Sequence, residues 1–205
     1  MTFSRSTRQA VAATASFKPR LNAGKMRCMD SALTQQYQFL ARYNRWFNQR
    51  LYAVSGKLSE EDRRRDRGAF FGSIHRTLKH LVWADQVWLT RFAAQGVSFP
   101  PLNAQLLSFP CDSGAGTEPH PDWNSLSSQR ERLDAAIEQW TLEMPADFPG
   151  LTMRYANRAG VQREHPAWQA LTHFFNHQTH HRGQVTTLLS QAGADPGVTD
   201  LLALV

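Results

Sequence analysis

The chain has 205 residues, 41% of them hydrophobic, with six tryptophans and a formal net charge of +6. That length and apolar content suit one well-buried soluble domain and exclude a disordered chain, and no apolar run reaches the roughly 18 residues a spanning helix needs. Six of the 23 basic residues (Arg5, Arg8, Lys18, Arg20, Lys25 and Arg27) fall in residues 1–28, which carry no acidic residue. The others are offset by the 17 acidic ones, so the body is neutral and lacks the basic excess of a nucleic-acid groove.

Residues 1–28 are rich in Ser, Ala, Thr and Arg, like a transit peptide, but have no apolar centre like that of a secretory signal. They are expected to be disordered and functionally silent, either as a leader or because translation starts at Met26 or Met29. Residues 29–205 form the expected domain. Cys28 and Cys111 are too few for a disulfide framework and fit a reducing compartment, the cytoplasm.

From Ser31 to about Val54, Leu33, Tyr37, Leu40, Tyr43, Trp46, Phe47 and Leu51 recur at helical spacing and predict a first amphipathic helix. Ser55-Gly56 ends it, and a short charged connection runs to Arg67. Gly68 to Gln95 reads as a second long helix carrying Phe71, Ile74, Leu78, Leu81, Val82, Trp88, Leu89 and Phe92, with Gly96 as its C-cap. Residues 97–121 form a Pro/Gly/Ser-containing loop, long enough for a crossover or a lid. Asp122 to Glu143 predicts a third helix with Asp122 or Asn124 as N-cap. Residues 151–165 predict a small hairpin around Asn-Arg-Ala-Gly, and Pro166 opens a fourth helix that runs to about Gln191. The fold class is all-α: a four-helix bundle with one long crossover and a small β-hairpin before the last helix.

Half of the eight histidines lie in His173-Phe-Phe-Asn-His177-Gln-Thr-His180-His181. At about 100° per residue, with His173 at zero, His177 falls near ~40°, His180 near ~−20° and His181 near ~80°. All four share one face, and 173/177 and 177/181 are i, i+4 pairs, the spacing at which two imidazoles on one helix can hold a single metal ion. Leu171, Phe174, Val185 and Leu189 flank this arc, so the histidines border the core. One helix supplies two ligands comfortably, and a third must come from elsewhere. His75 and His80 on the second helix are the candidates, since His120 and His165 sit in predicted non-helical segments. The two project roughly 140° apart. Periodicity slightly favours His75 as core-facing and leaves His80 at the stripe's edge, without settling the choice.

Asp85 shares the apolar side of the second helix and must be paired if buried. It could orient an imidazole N–H or form a salt bridge. Asn176 and Gln184 could also support the ligands, and His173 and His180 fit supporting or packing roles. Trp83 and Trp88 read as core. No serine elbow, phosphate loop or cysteine placed as a nucleophile is present in the sequence.

Three segments carry a family resemblance: Ala-Arg-Tyr-Asn-Arg-Trp-Phe-Asn at 41–48; Gly-Ser-Ile-His-Arg-Thr-Leu-Lys-His-Leu at 72–81 with Ala-Asp-Gln-Val-Trp-Leu at 84–89; and Asn-His-Gln-Thr-His-His-Arg-Gly-Gln at 176–184. Together they resemble the DinB family of four-helix-bundle proteins over roughly residues 30–193. The resemblance implies a divalent metal held by three histidines, which correspond to His80, His177 and His181. Three neutral imidazoles leave a position open for water or substrate, as in catalytic sites. Imidazoles suit several metals, zinc or nickel being the expected ones.

The resemblance also points to thiol chemistry, with a low-molecular-weight thiol as the small-molecule substrate, as in an S-transferase. A metal-activated water would support hydrolysis instead. The alternative is a non-catalytic metal-binding protein, a stress-related sensor, store or scaffold. Homodimerisation is expected from the resemblance; partnership with nucleic acid or membrane is not.

Overall fold

The computed structural model describes residues 23–111 and 121–205. The expectations for residues 1–22 and for His120 lie outside the described residues. Four long helices pack around one core: α1 (Ala23–Gly56), α3 (Ile74–Ala93), α5 (Trp123–Glu143) and α6 (Ala167–Gln191). Two short helices, α2 (Glu60–Arg64) and α4 (Ala104–Leu107), lie in the connections. Strands β1 (Thr152–Ala156) and β2 (Gln162–Pro166) pair antiparallel, Thr152 opposite Pro166 and Ala156 opposite Gln162. This is the expected helical bundle with a hairpin ahead of its last helix.

The boundaries follow local chemistry. α5 starts as expected, the Asp122 carboxylate accepting from the Ser125 backbone N–H at 3.0 Å. α1 begins at Ala23, ahead of the predicted Ser31, so residues 23–28 are helical rather than disordered. The charged connection after it folds into α2 because Ser59 caps it, its hydroxyl accepting from the Asp62 N–H. Pro166 ends β2 and is the N-cap of α6, so the helix starts at Ala167, one position after the expected first helical residue.

The largest departure is at α3. Gly68 and Gly72 adopt φ of +73° and +77°, which breaks the helix predicted from Gly68. The helix starts only after Ser73, whose hydroxyl accepts from the Arg76 N–H. Phe71 therefore sits in a loop rather than on a helix face.

Contacts between helices set their directions. Along α1 and α6, Tyr37 donates to the Trp168 carbonyl at 3.1 Å, and further along Arg182 donates to Asn44, so the two run parallel. Between α1 and α5 the pairs Arg45–Glu138 and Tyr52–Trp123 show the opposite sense. Asp85 with Gln178 and Trp88 with His173 make α3 and α6 antiparallel. Asp85 with Arg130 and Phe92 with Trp140 make α3 and α5 parallel. The order is up, down, down, up. Joining the parallel helices α3 and α5 requires a return along a helix about 30 Å long, which is why the connection between them is the long one.

Around the bundle α1 neighbours α5 and α6, and α3 neighbours the same two. One end of the core is aromatic, with Phe92, Phe99, Trp140, Phe148 and Phe174 all buried in mutual edge and stacked contacts. The middle is polar. Asp85, 1% exposed, accepts from Arg130 at 2.6 Å and from Gln178. Arg130 also pairs with Asp134 at 2.9 Å, and Asp134 accepts from Asn44 and Asn48 at 3.1 and 2.9 Å. Arg182 donates to Asn44 and lies over the Tyr43 and Phe47 rings.

Every long helix contributes to this layer. Removing one partner leaves a buried charge unpaired, which typically costs about 3–5 kcal/mol. Asp85→Ala should lose stability of that order in chemical denaturation, far more than Glu60→Ala in the exposed α2 pair with Arg64.

Candidate metal centre

The site lies beside the polar layer, where the first half of α3 faces the middle of α6. His80 comes from the second turn of α3, and His177 and His181 come from successive turns of α6. The ligand atoms of these three residues lie within 4.8 Å of one another. His177 Nε2 is 3.2 Å from His80 Nε2 and 3.0 Å from His181 Nε2. A tetrahedral ion with ligands at 2.0–2.1 Å holds adjacent nitrogens about 3.3 Å apart, so the spacing fits a divalent metal. No fourth His, Cys, Asp or Glu joins the group among the described residues.

His75 and His80 are both buried, at 1% and 8% exposure. His75 turns towards α5, where its ring lies 6.4 Å from Trp123, and only His80 faces α6.

Gln184 fixes the state of one imidazole. Its Oε1 lies 2.7 Å from His181 Nδ1. An amide oxygen only accepts, so His181 carries its proton on Nδ1 and presents a bare Nε2 to the cluster. The Gln184 amide nitrogen lies 3.3 Å from His180 Nε2 and donates to it. His180 is exposed and packs on the His181 ring at 4.8 Å.

His173 lies one turn before His177, its ring 5.8 Å from that imidazole and 4.9 Å from Trp88. Asn176 is exposed. Asp85 is bonded to Arg130 and Gln178, so its carboxylate belongs to the polar layer and not to an imidazole.

Aromatic rings shield one flank of the cluster. Phe71 stacks on His80 with centroids 4.2 Å apart and lies 5.5 Å from the His181 ring. Trp83 lies 5.6 Å from His80, and Arg158 from the hairpin turn sits over Trp83. Burial, reinforced by the neighbouring imidazoles His181 and His80, pushes the His177 pKa down to about 3. Burial also lowers His181 to about 4, against the opposing bond from Gln184. Both are therefore neutral at physiological pH, the form that binds metal.

Phe71, Gln178 and Arg182 were not read as site or network residues from sequence. Phe71 was hidden by the helix predicted through it. A signal for the network does exist, since Arg130 and Asp134 interrupt the apolar series Leu126, Leu133 and Ile137 at i, i+4 spacing. A cavity of about 660 Å³ between α1 and α5 is lined by none of the histidines.

Two outcomes follow from this geometry. Gln184→Ala should weaken zinc binding about 10–100-fold in a competitive chelator titration, the usual cost of losing a ligand's orienting partner. The second concerns the metal-free protein. Unfolded imidazoles titrate near 6.5, above the folded values of His177 and His181. The unfolded chain thus binds more protons between those limits. Stability contributed by these groups is full above about pH 6.5 and is lost as pH falls towards 4 and below. Melting temperature should fall over that range, and less steeply in His177→Ala.

A model of the DinB family matches residues 29–205. The protein DinB of Bacillus subtilis (strain 168) is 26% identical over 161 residues, covering 78% of this chain and 88% of that protein. The crystal structure of a DinB-like protein from Bacillus cereus ATCC 10987 aligns with a TM-score of 0.54 at 21% identity, over 79% of this chain and 99% of that one. At that identity the likeness speaks for the fold alone. With its family model running from residue 29 to the C-terminal Val205, the chain belongs to the DinB family.

Proposed function

We propose that this protein is a divalent-metal-dependent enzyme acting on a low-molecular-weight thiol, with His80, His177 and His181 as the metal ligands and zinc or nickel as the ion. The observation that carries the reading is the convergence of three imidazole nitrogens with no fourth ligating side chain among the described residues. A structural zinc site closes its fourth position with protein; a catalytic one leaves it open. A divalent ion there supplies Lewis acidity, lowering the pKa of a thiol so that it can act as a nucleophile.

The chain's own residues do the positioning. Gln184 keeps the His181 proton on Nδ1, so that Nε2 stays available. Phe71 covers His80 and excludes water from that flank, which strengthens every electrostatic interaction inside. Burial holds His177 and His181 neutral, so a divalent ion held there would keep its positive charge towards an anionic thiolate. Nothing in the cluster is a nucleophile in its own right, and Cys111 is tied to the Lys79 carbonyl at 3.3 Å.

Elemental analysis of untagged protein, followed by assays of thiol loss against a panel of electrophiles, tests this. Wild type should carry about one metal per chain, and His177→Ala and His80→Ala should lose it with the activity. His75→Ala should keep both. Full metal content in His177→Ala would sink the three-histidine site, and no thiol consumption by metal-loaded wild type across the panel would sink the thiol chemistry.

A further inference from the structure

The polar layer holds two buried carboxylates whose oxygens are used differently. Asp85 has both engaged: Oδ1 accepts from Gln178 and Oδ2 from Arg130. Asp134 gathers all its donors on Oδ1, from Asn44 at 3.1 Å, Asn48 at 2.9 Å and Arg130 at 2.9 Å. Its Oδ2 takes no bond from the described residues and is not one of the sealed, unpartnered atoms of the interior. A proton can settle on Asp134 Oδ2 without breaking any of these contacts, whereas on Asp85 it would displace a donor.

Asp134 also has a route to solvent. Although 2% exposed, it lines two cavities of about 200 and 130 Å³ in the seam between α1 and α5, and the exposed Glu131 lines both. Asp85 lines neither. A water takes up about 30 Å³, so the larger cavity has room for several. Its walls are made for them: Asn48 Oδ1, the Tyr52 hydroxyl and Arg130 Nε are buried there without a hydrogen-bond partner among the described residues.

Charged groups face Asp134 from every long helix. Arg130 and Glu131 lie on α5, and Asp85 on α3. Arg182 acts on it from α6, and Arg45 of α1, itself paired with Glu138, lines the smaller cavity. Burial pushes the Asp134 pKa up to about 6, against Arg130 and the Asn48 bond, and Asp85 adds to the rise.

We propose that Asp134 is a proton switch built into the layer: on acidification Oδ2 takes a proton from the cavity while Oδ1 keeps its three partners, so the bundle changes charge without changing register. Neither the metal nor the thiol chemistry enters this. An unfolded aspartate titrates near about 4, below the folded value. The folded chain therefore binds more protons between the two limits. Stability contributed by Asp134 is full below about pH 4 and is lost as pH rises through about 6.

Asp134→Asn fixes the neutral form, with the carbonyl oxygen left to the three donors and the amide nitrogen facing the cavity. Melting temperatures of full-length wild type and variant, with equal zinc, should be compared from pH 8 to pH 4.5. The difference between them should be constant above about pH 7 and move in favour of wild type as pH falls from 6 to 4.5. Other titrating groups are common to both proteins and cancel. Asp85→Asn, whose amide must turn a donor onto Gln178 or Arg130, should be less stable than wild type at every pH. In carbon-13 NMR of wild type alone, the Asp134 carboxyl carbon should titrate near pH 6. A difference that does not change with pH, an Asp85→Asn profile matching that of Asp134→Asn, or an Asp134 carboxyl still ionised at pH 4.5 would each overturn the switch.

Discussion

The buried charged layer at the middle of the bundle is the constraint on which the rest depends. Asp85, Arg130, Asp134 and Arg182 are each no more than 2% exposed, and they join α3, α5 and α6 to one another and, through Asn44 and Asn48, to α1. Such pairs add little net stability over an apolar core, because desolvation offsets the attraction. Their effect is on alternatives. A helix that slips or rotates leaves a charge unpaired in a low-dielectric interior, and that is heavily penalised. The layer therefore selects one register among the many that an apolar core would tolerate.

That register is also the register of the candidate metal centre. α3 meets α6 at Asp85–Gln178 and at His80–His177, so the two contacts rise and fall together. The polar layer holds the helices, and the histidines are carried into place. This division suits a site whose empty form is unfavourable. Three imidazoles, two of them with a nitrogen 3.0 and 3.2 Å from His177 Nε2, do not hold a bundle together. The scaffold must position them first, and a bound ion can then gain affinity from not having to order its ligands.

Much of the architecture was legible in the sequence because it rests on local chemistry. Helical periodicity located the four long helices, Asp122 marked the start of α5, and the turn residues at 157–160 marked the hairpin. The misreadings have equally local causes. Periodicity cannot distinguish a helix from a loop that happens to place Phe71 one turn before Ile74, and the paired positive-φ glycines at 68 and 72 decided that case. Asp85 illustrates a different gap. Its need for a partner could be stated from sequence, but the partner lies 45 residues away on α5, and nothing local names it.

The candidate site divides along the same line. By itself, the sequence determined that His177 and His181 share a helix face, since i, i+4 spacing is a property of one helix and needs no neighbour. It could not choose between His75 and His80 by pattern, because both belong to the buried side of α3. The family resemblance named His80, and the tertiary structure supplies the physical reason, by placing α5 against one flank of that helix and α6 against the other. His75 then faces Trp123, and His80 faces the two imidazoles. Which helix lies on which side is set by the packing of the whole bundle, a long-range property that no window of sequence contains.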